Sequence, residues 1–113
     1  MTYSIERLDD VLVVRLVADV WSTLEGYQVK DEIRVQLTMG ARKFVLEFTE
    51  VDAVNSLGMG VVVSAWASIR QAGGALCLTG LGPRVDRAFR VTGLVPLLDT
   101  SPTLDEALAA LRG

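Results

Sequence analysis

The sequence predicts an α/β sandwich built on a mixed sheet of four to five strands with about four helices, and three observations predict it. Short apolar or alternating runs of strand type are interleaved with longer runs at helical spacing. Glycine, proline and capping residues punctuate the boundaries between them. Half of the 113 residues are hydrophobic, which suits one core and one domain, residues 1–113.

The elements follow in order. "YSIERLDDVLVVRLVA" reads as two strands around the polar pair Asp9 and Asp10, a hairpin with β-branched and apolar residues on its faces. From Ser22 or Thr23 onward, "STLEGYQVKDEIRVQLTMG" places Leu24, Val29, Ile33 and Leu37 near helical spacing, with Gly40 as the stop. Gly26 weakens the first turn of that helix. In "RKFVLEFTEV", Phe44, Leu46 and Phe48 alternate with Lys43, Val45 and Glu47, the pattern of a central strand. A second helix runs from about residue 57 to the break at Ala72–Gly74, and "ALCLTGL" is a short run of buried-strand type. Pro83 opens a third helix, where Val85, Ala88 and Phe89 form a stripe and Gly93 ends it. "LVPLLDTS" holds one last short strand, and Thr103 caps the final helix, "LDEALAALRG". Strands separated by helices in this way pair in parallel through right-handed crossovers, after an antiparallel start.

Composition excludes several classes of function. Eleven Lys and Arg against 14 Asp and Glu leave a net charge of −3, with no electrostatic footprint for nucleic acid. The chain has no histidine and one cysteine, so no disulfide and no histidine/cysteine metal site can form within it. Cys77, inside "ALCLTGL", reads as a small buried hydrophobe. "MTYSIERLDD" has no signal core, and no stretch approaches the ~18 apolar residues of a membrane span. A bacterial-type cytoplasmic protein with no membrane partner is the expectation.

The stretch "AVNSLGMGVVVSAW" raises the functional question. Ser56 stands where a helix N-cap belongs, and Asn55, one residue earlier, can serve the same purpose. Gly58 and Gly60 weaken the first turn that follows, so something packs against or approaches bare backbone there. A catalytic serine needs a base, histidine is absent, and the flanks of Ser56 do not form a G-x-S-x-G elbow. No catalytic residue is therefore expected. "GMG" lacks the G-x-G-x-x-G span and no phosphate-binding loop occurs, so no cofactor is expected either. What remains is a hydroxyl on a partner-facing turn, open to a protein kinase.

At this point the chain resembles the anti-sigma factor antagonists, whose domain is called STAS after sulfate transporters and anti-sigma antagonists. The family pattern is a strand ending in an acidic residue, a loop, then Asp-Ser-Ser/Thr-Gly-Leu-Gly opening a helix. "VLEFTEVDAVNSLGMGVVV" is similar in spacing: Glu47 falls at the acidic position, Asn55 at the Asp, Ser56 at the phosphorylated serine, Gly58 and Gly60 at the glycines, and Met59 at the leucine. "GGALCLTGLGPRVDRAFRVTGL" matches the downstream Gly-Gly, strand, Pro, helix and Thr-Gly-Leu run. The likeness covers the chain from about residue 41 onward, and more weakly its first third.

Three positions depart from the pattern. Asn55 replaces the Asp and removes a negative charge; Leu57 replaces the second Ser/Thr and makes the loop more apolar. Trp21 stands where the family often has a small or acidic residue, and is either part of a divergent partner surface or a cover for the core edge.

The resemblance implies a STAS-type sandwich and a regulatory binding protein rather than an enzyme. Its partner would be an anti-sigma factor that is also a serine kinase of the GHKL type. Its contact residues would be Trp21, Asn55, Ser56, Leu57, Gly58, Met59 and Gly60, and phosphorylation of Ser56 would break the complex. The same features fit a STAS accessory subunit docked on a transporter ATPase, or a binding module independent of phosphorylation. A small enzyme lacks its base here, and a nucleotide-binding module rests on the α/β layout alone.

Overall fold

The computed structural model describes residues 3–93 and 98–112. Strands β1 (Tyr3–Leu8) and β2 (Val11–Trp21) form the antiparallel hairpin. Leu8 pairs with Val11, so the turn is only Asp9 and Asp10, and Asp9 takes the left-handed conformation (φ 56°) that Asp tolerates better than branched residues. Helix α1 (Thr23–Thr38), strand β3 (Lys43–Val54), helix α2 (Ser56–Gln71), strand β4 (Ala75–Thr79), helix α3 (Pro83–Val91), strand β5 (Asp99–Ser101) and helix α4 (Leu104–Leu111) complete the chain. The sheet runs in the order β1-β2-β3-β4-β5, and every pair after the hairpin is parallel. Of "LVPLLDTS", residues 94–97 lie outside the described residues, and the strand there is Asp99–Ser101.

Period-two alternation fills both faces of the sheet. Leu12, Val14, Leu16, Phe44, Leu46, Phe48, Leu76 and Leu78 pack with α1, α2 and α3 through Val29, Ile33, Val62, Ile69, Val85 and Phe89. On the other face, Val11, Val13, Val45 and Cys77 are covered by Ala107 and Leu111 of α4. The punctuation works as the sequence implies. Gly40 and Gly93 adopt positive φ just beyond α1 and α3, and Thr103 Oγ1 accepts from the Glu106 amide at 3.2 Å to start α4.

Two expectations change. Leu24 is not on the buried face of α1: it stands 71% exposed, because Val29 and Ile33 define an inward face that lies well over a quarter turn around the helix from residue 24. Strand β3 also runs on to Val54, three residues past the apolar run, because β2 continues beside it as far as Trp21. Among the described residues no helix is long and apolar enough to cross a membrane.

Burial pushes the Cys77 thiol up, ahead of an opposing hydrogen bond with Ser101, and Asp99 adds to the rise. Native Cys77 is therefore expected to resist thiol reagents at neutral pH and to react fully once denatured. Timed labelling with a chromogenic disulfide, with and without denaturant, measures this; rapid native labelling would show that α4 opens readily.

Candidate functional site

The parallel strands β2 and β3 end side by side, with Trp21 paired to Val54, and the chain turns at once into α2. Asn55 is the hinge of that turn. Its amide donates to the Trp21 carbonyl at 3.2 Å, its carbonyl accepts from the Met59 amide at 2.9 Å, and its Oδ1 accepts from the Gly58 amide at 2.8 Å. Asn55 is thus the N-cap and Ser56 the first helical residue, which resolves the choice between them. From an extended backbone (φ −99°, ψ 173°) the Asn side chain reaches the third amide of the turn, as capping requires.

Trp21 holds the turn from below. Its indole Nε1 donates to the Gly58 carbonyl at 3.1 Å while its own carbonyl receives Asn55. Its ring meets Phe48 edge to face with centroids 6.2 Å apart, and Phe48 meets Phe89 at 6.1 Å in the same manner. This aromatic chain ties the end of β2 through β3 to α3. Gly58 fits because it has no side chain: a Cβ there would lie 2.1 Å from the Trp21 carbonyl oxygen.

Burial divides the expected contact set. Trp21 is 1% exposed and Gly58 and Met59 are also buried, so these three shape the turn from inside, and Met59 reaches the surface only where it lines the groove toward α3. Of the two roles open to Trp21, the core-edge one holds. Asn55, Ser56, Leu57 and Gly60 are exposed. Glu47, at the acidic strand position, accepts from the Thr49 amide at 2.9 Å, a bond within β3.

Ser56 makes no hydrogen bond through its hydroxyl among the described residues, and the amides of Ser56 and Leu57 are likewise unbonded there. The first turn of α2 carries no acidic residue. Two grooves flank it. One, of about 230 Å³, lies toward α1 between Tyr27, Lys30, Leu57 and Gly60. The other, of about 490 Å³, lies toward α3 and is lined by Met59, Ala88 and Val91 with Arg84 and Arg87 at its side. Leu57 is 66% exposed, and Tyr27 and Val91 are exposed as well. Sequence reasoning missed Tyr27 and Val91, because an apolar residue on a helix declares itself as surface only when the helix phase is known.

Apart from its chain neighbours and its own helix backbone, no described atom lies within 4 Å of where a Cβ at Gly60 would sit. Gly60→Ala is therefore expected to stabilise the domain by about 1 kcal/mol through helix propensity, read as a raised thermal midpoint. An unchanged or lowered midpoint would show that the glycine serves the fold after all.

The fold and the site together define the class: a small α/β sandwich that presents an exposed serine at the start of the helix following its central strand. The STAS domain profile matches residues 2–107, and the chain belongs to the STAS domain family. It is similar to BtrV of Bordetella bronchiseptica, provisionally named an anti-sigma factor antagonist, with 27% identity over 112 residues, 99% of this chain and 96% of that one. It is 38% identical over 80 residues to an anti-sigma-B factor antagonist of Listeria monocytogenes, spanning 71% of this chain and 62% of that protein. Among solved structures, the anti-sigma factor antagonist SpoIIAA in its unphosphorylated form superposes with a TM-score of 0.82 at 23% identity, covering 98% of this chain and 96% of SpoIIAA. The phosphorylated form of SpoIIAA, a Bacillus protein, superposes with a TM-score of 0.74 at 21% identity, covering 97% and 99%. These superpositions show a shared fold.

Proposed function

We propose that this chain is a cytoplasmic anti-sigma factor antagonist, a binding protein without catalytic activity, whose β3–α2 turn docks on an anti-sigma factor that is also a serine kinase of the GHKL type. Phosphorylation of Ser56 by that kinase ends the docking. One observation carries this: the Ser56 hydroxyl is exposed and unbonded at the first position of α2, beside exposed Leu57 and the bare backbone of Gly60. The names of the relatives above support the antagonist role, and a homologous fold known with and without phosphate supports the switch.

The physics of the switch is local. A phosphoryl group adds about −1.5 to −2 charges. At a helix start it meets the positive end of the dipole and the amides of Ser56 and Leu57, so the host fold tolerates it. The partner, pressed on an apolar turn, does not. Incubation with the purified GHKL kinase and ATP, followed by intact mass, tests the proposal: one phosphoryl group gained on wild type and none on Ser56→Ala is the expected result. Gly60→Ala, expected to stabilise the domain, should weaken docking, since a methyl group separates the partner from the backbone.

Asn55 favours a second reading in one respect, because it caps α2 as an Asp would without the charge. A partner that binds wild type tightly yet never phosphorylates it would assign the chain to the phosphorylation-independent binding modules.

A further inference from the structure

Helix α1 is apolar on two sides. Its inward face, Val29 and Ile33, is in the core. Its outward face carries Leu24, Tyr27, Val35 and the C-cap residue Met39, exposed at 71, 55, 52 and 75%. At 100° per residue these four fall within about a third of the helix circumference, a row roughly 22 Å long. Nothing in the described chain covers it; exposed Gln28, Asp31 and Thr38 share the arc, so the face is two apolar pairs, Leu24 with Tyr27 and Val35 with Met39, on either side of a polar centre.

The row is nearly palindromic about Asp31. Tyr27 and Val35 lie four residues to either side of it, and Leu24 and Met39 lie seven and eight. An antiparallel helix pair related by a two-fold axis at Asp31 sets Tyr27 against Val35 of the second copy, and Leu24 against Thr38 and Met39 of the second copy, at both ends alike. The centre is charge-compensated. Arg34, 68% exposed and 3.8 Å from its own Asp31, stands one turn along on the flank of the row, within reach of Asp31 of the second copy. We infer that α1 is a self-association surface on which a second copy of this chain docks, antiparallel, through Leu24, Tyr27, Val35 and Met39, with Asp31 and Arg34 exchanged between copies. Tyr27 also lines the groove beside Leu57 and Gly60, so the dimer covers one margin of the β3–α2 turn.

Light scattering on the full chain over a concentration series tests this. The expected mass rises from 12.2 kDa toward twice that value as concentration increases. Val35→Lys, at an exposed position, should raise the dissociation constant at least tenfold without changing the circular dichroism spectrum. Asp31→Arg should do the same by facing Arg34 of the second copy. The exchange Asp31→Arg with Arg34→Asp should restore association, which no dimer through another surface would reproduce. A mass of 12.2 kDa at every concentration overturns the inference, including the case where the chain co-sediments with lipid vesicles instead. So does a dimer that none of these substitutions alters.

Discussion

Gly58→Ala is expected to lower the stability of the domain by about 3–5 kcal/mol, a large share of the roughly 5–15 kcal/mol that holds such a domain together. The added methyl group would sit 2.1 Å from the Trp21 carbonyl oxygen and 2.9 Å from the Trp21 Cδ1 atom. Neither can step aside. The carbonyl is held by the Asn55 amide, and the ring is 1% exposed, bonded to the Gly58 carbonyl and packed on Phe48. Relief therefore means lifting the start of α2 off β2 and losing the Asn55 cap with it. A thermal midpoint lower by roughly 10 °C or more is the expected reading. The contrast with Gly60→Ala, two residues on and of opposite sign, controls for helix propensity; equal shifts at both positions would refute the tight contact at Gly58.

Ser56→Asp is expected to reduce affinity for the anti-sigma factor more than a hundredfold while leaving the fold as stable as wild type or slightly more so. Under the proposed docking, a carboxylate at the centre of the contact would be desolvated without a partner, and a loss of ~3 kcal/mol corresponds to that factor. Stability holds because an anion at the first position of a helix is favoured by about 0.3–1 kcal/mol. Ser56 is exposed, and no acidic residue in the first turn of α2 opposes it. Ser56→Ala should bind as wild type does. Calorimetric titration against the purified partner, with a thermal scan of each variant, separates the two effects. Loss of stability together with affinity would mean that Ser56 acts through the fold, and retained affinity in Ser56→Asp would remove the switch.

Much of the fold was legible because its local signals agree with each other. The Asp9–Asp10 turn, the alternation in β3, Pro83 at the start of α3 and Thr103 at the start of α4 each depend on a residue and its near neighbours. The candidate turn was legible for the same reason: a cap residue, a serine and two glycines in six positions mark a helix start whatever lies beneath it. The different meanings of the two glycines were not legible. Gly58 answers to Trp21, 37 residues earlier in the chain, while Gly60 answers to nothing among the described residues. Leu24 was misplaced because its face depends on the helix phase, and that phase is set by packing of Val29 and Ile33 on the sheet.

The sequence by itself determined the class of fold, the absence of a histidine base, and the site of the exposed helix start, because periodicity, composition and capping act over a few residues. Only the tertiary structure decided that Trp21 lies beneath the turn rather than on it, that Asn55 rather than Ser56 bonds the helix amides, and that α1 shows a second apolar face to solvent. Those outcomes depend on which distant side chains compete for the same buried space, and that competition exists only once the strands are paired.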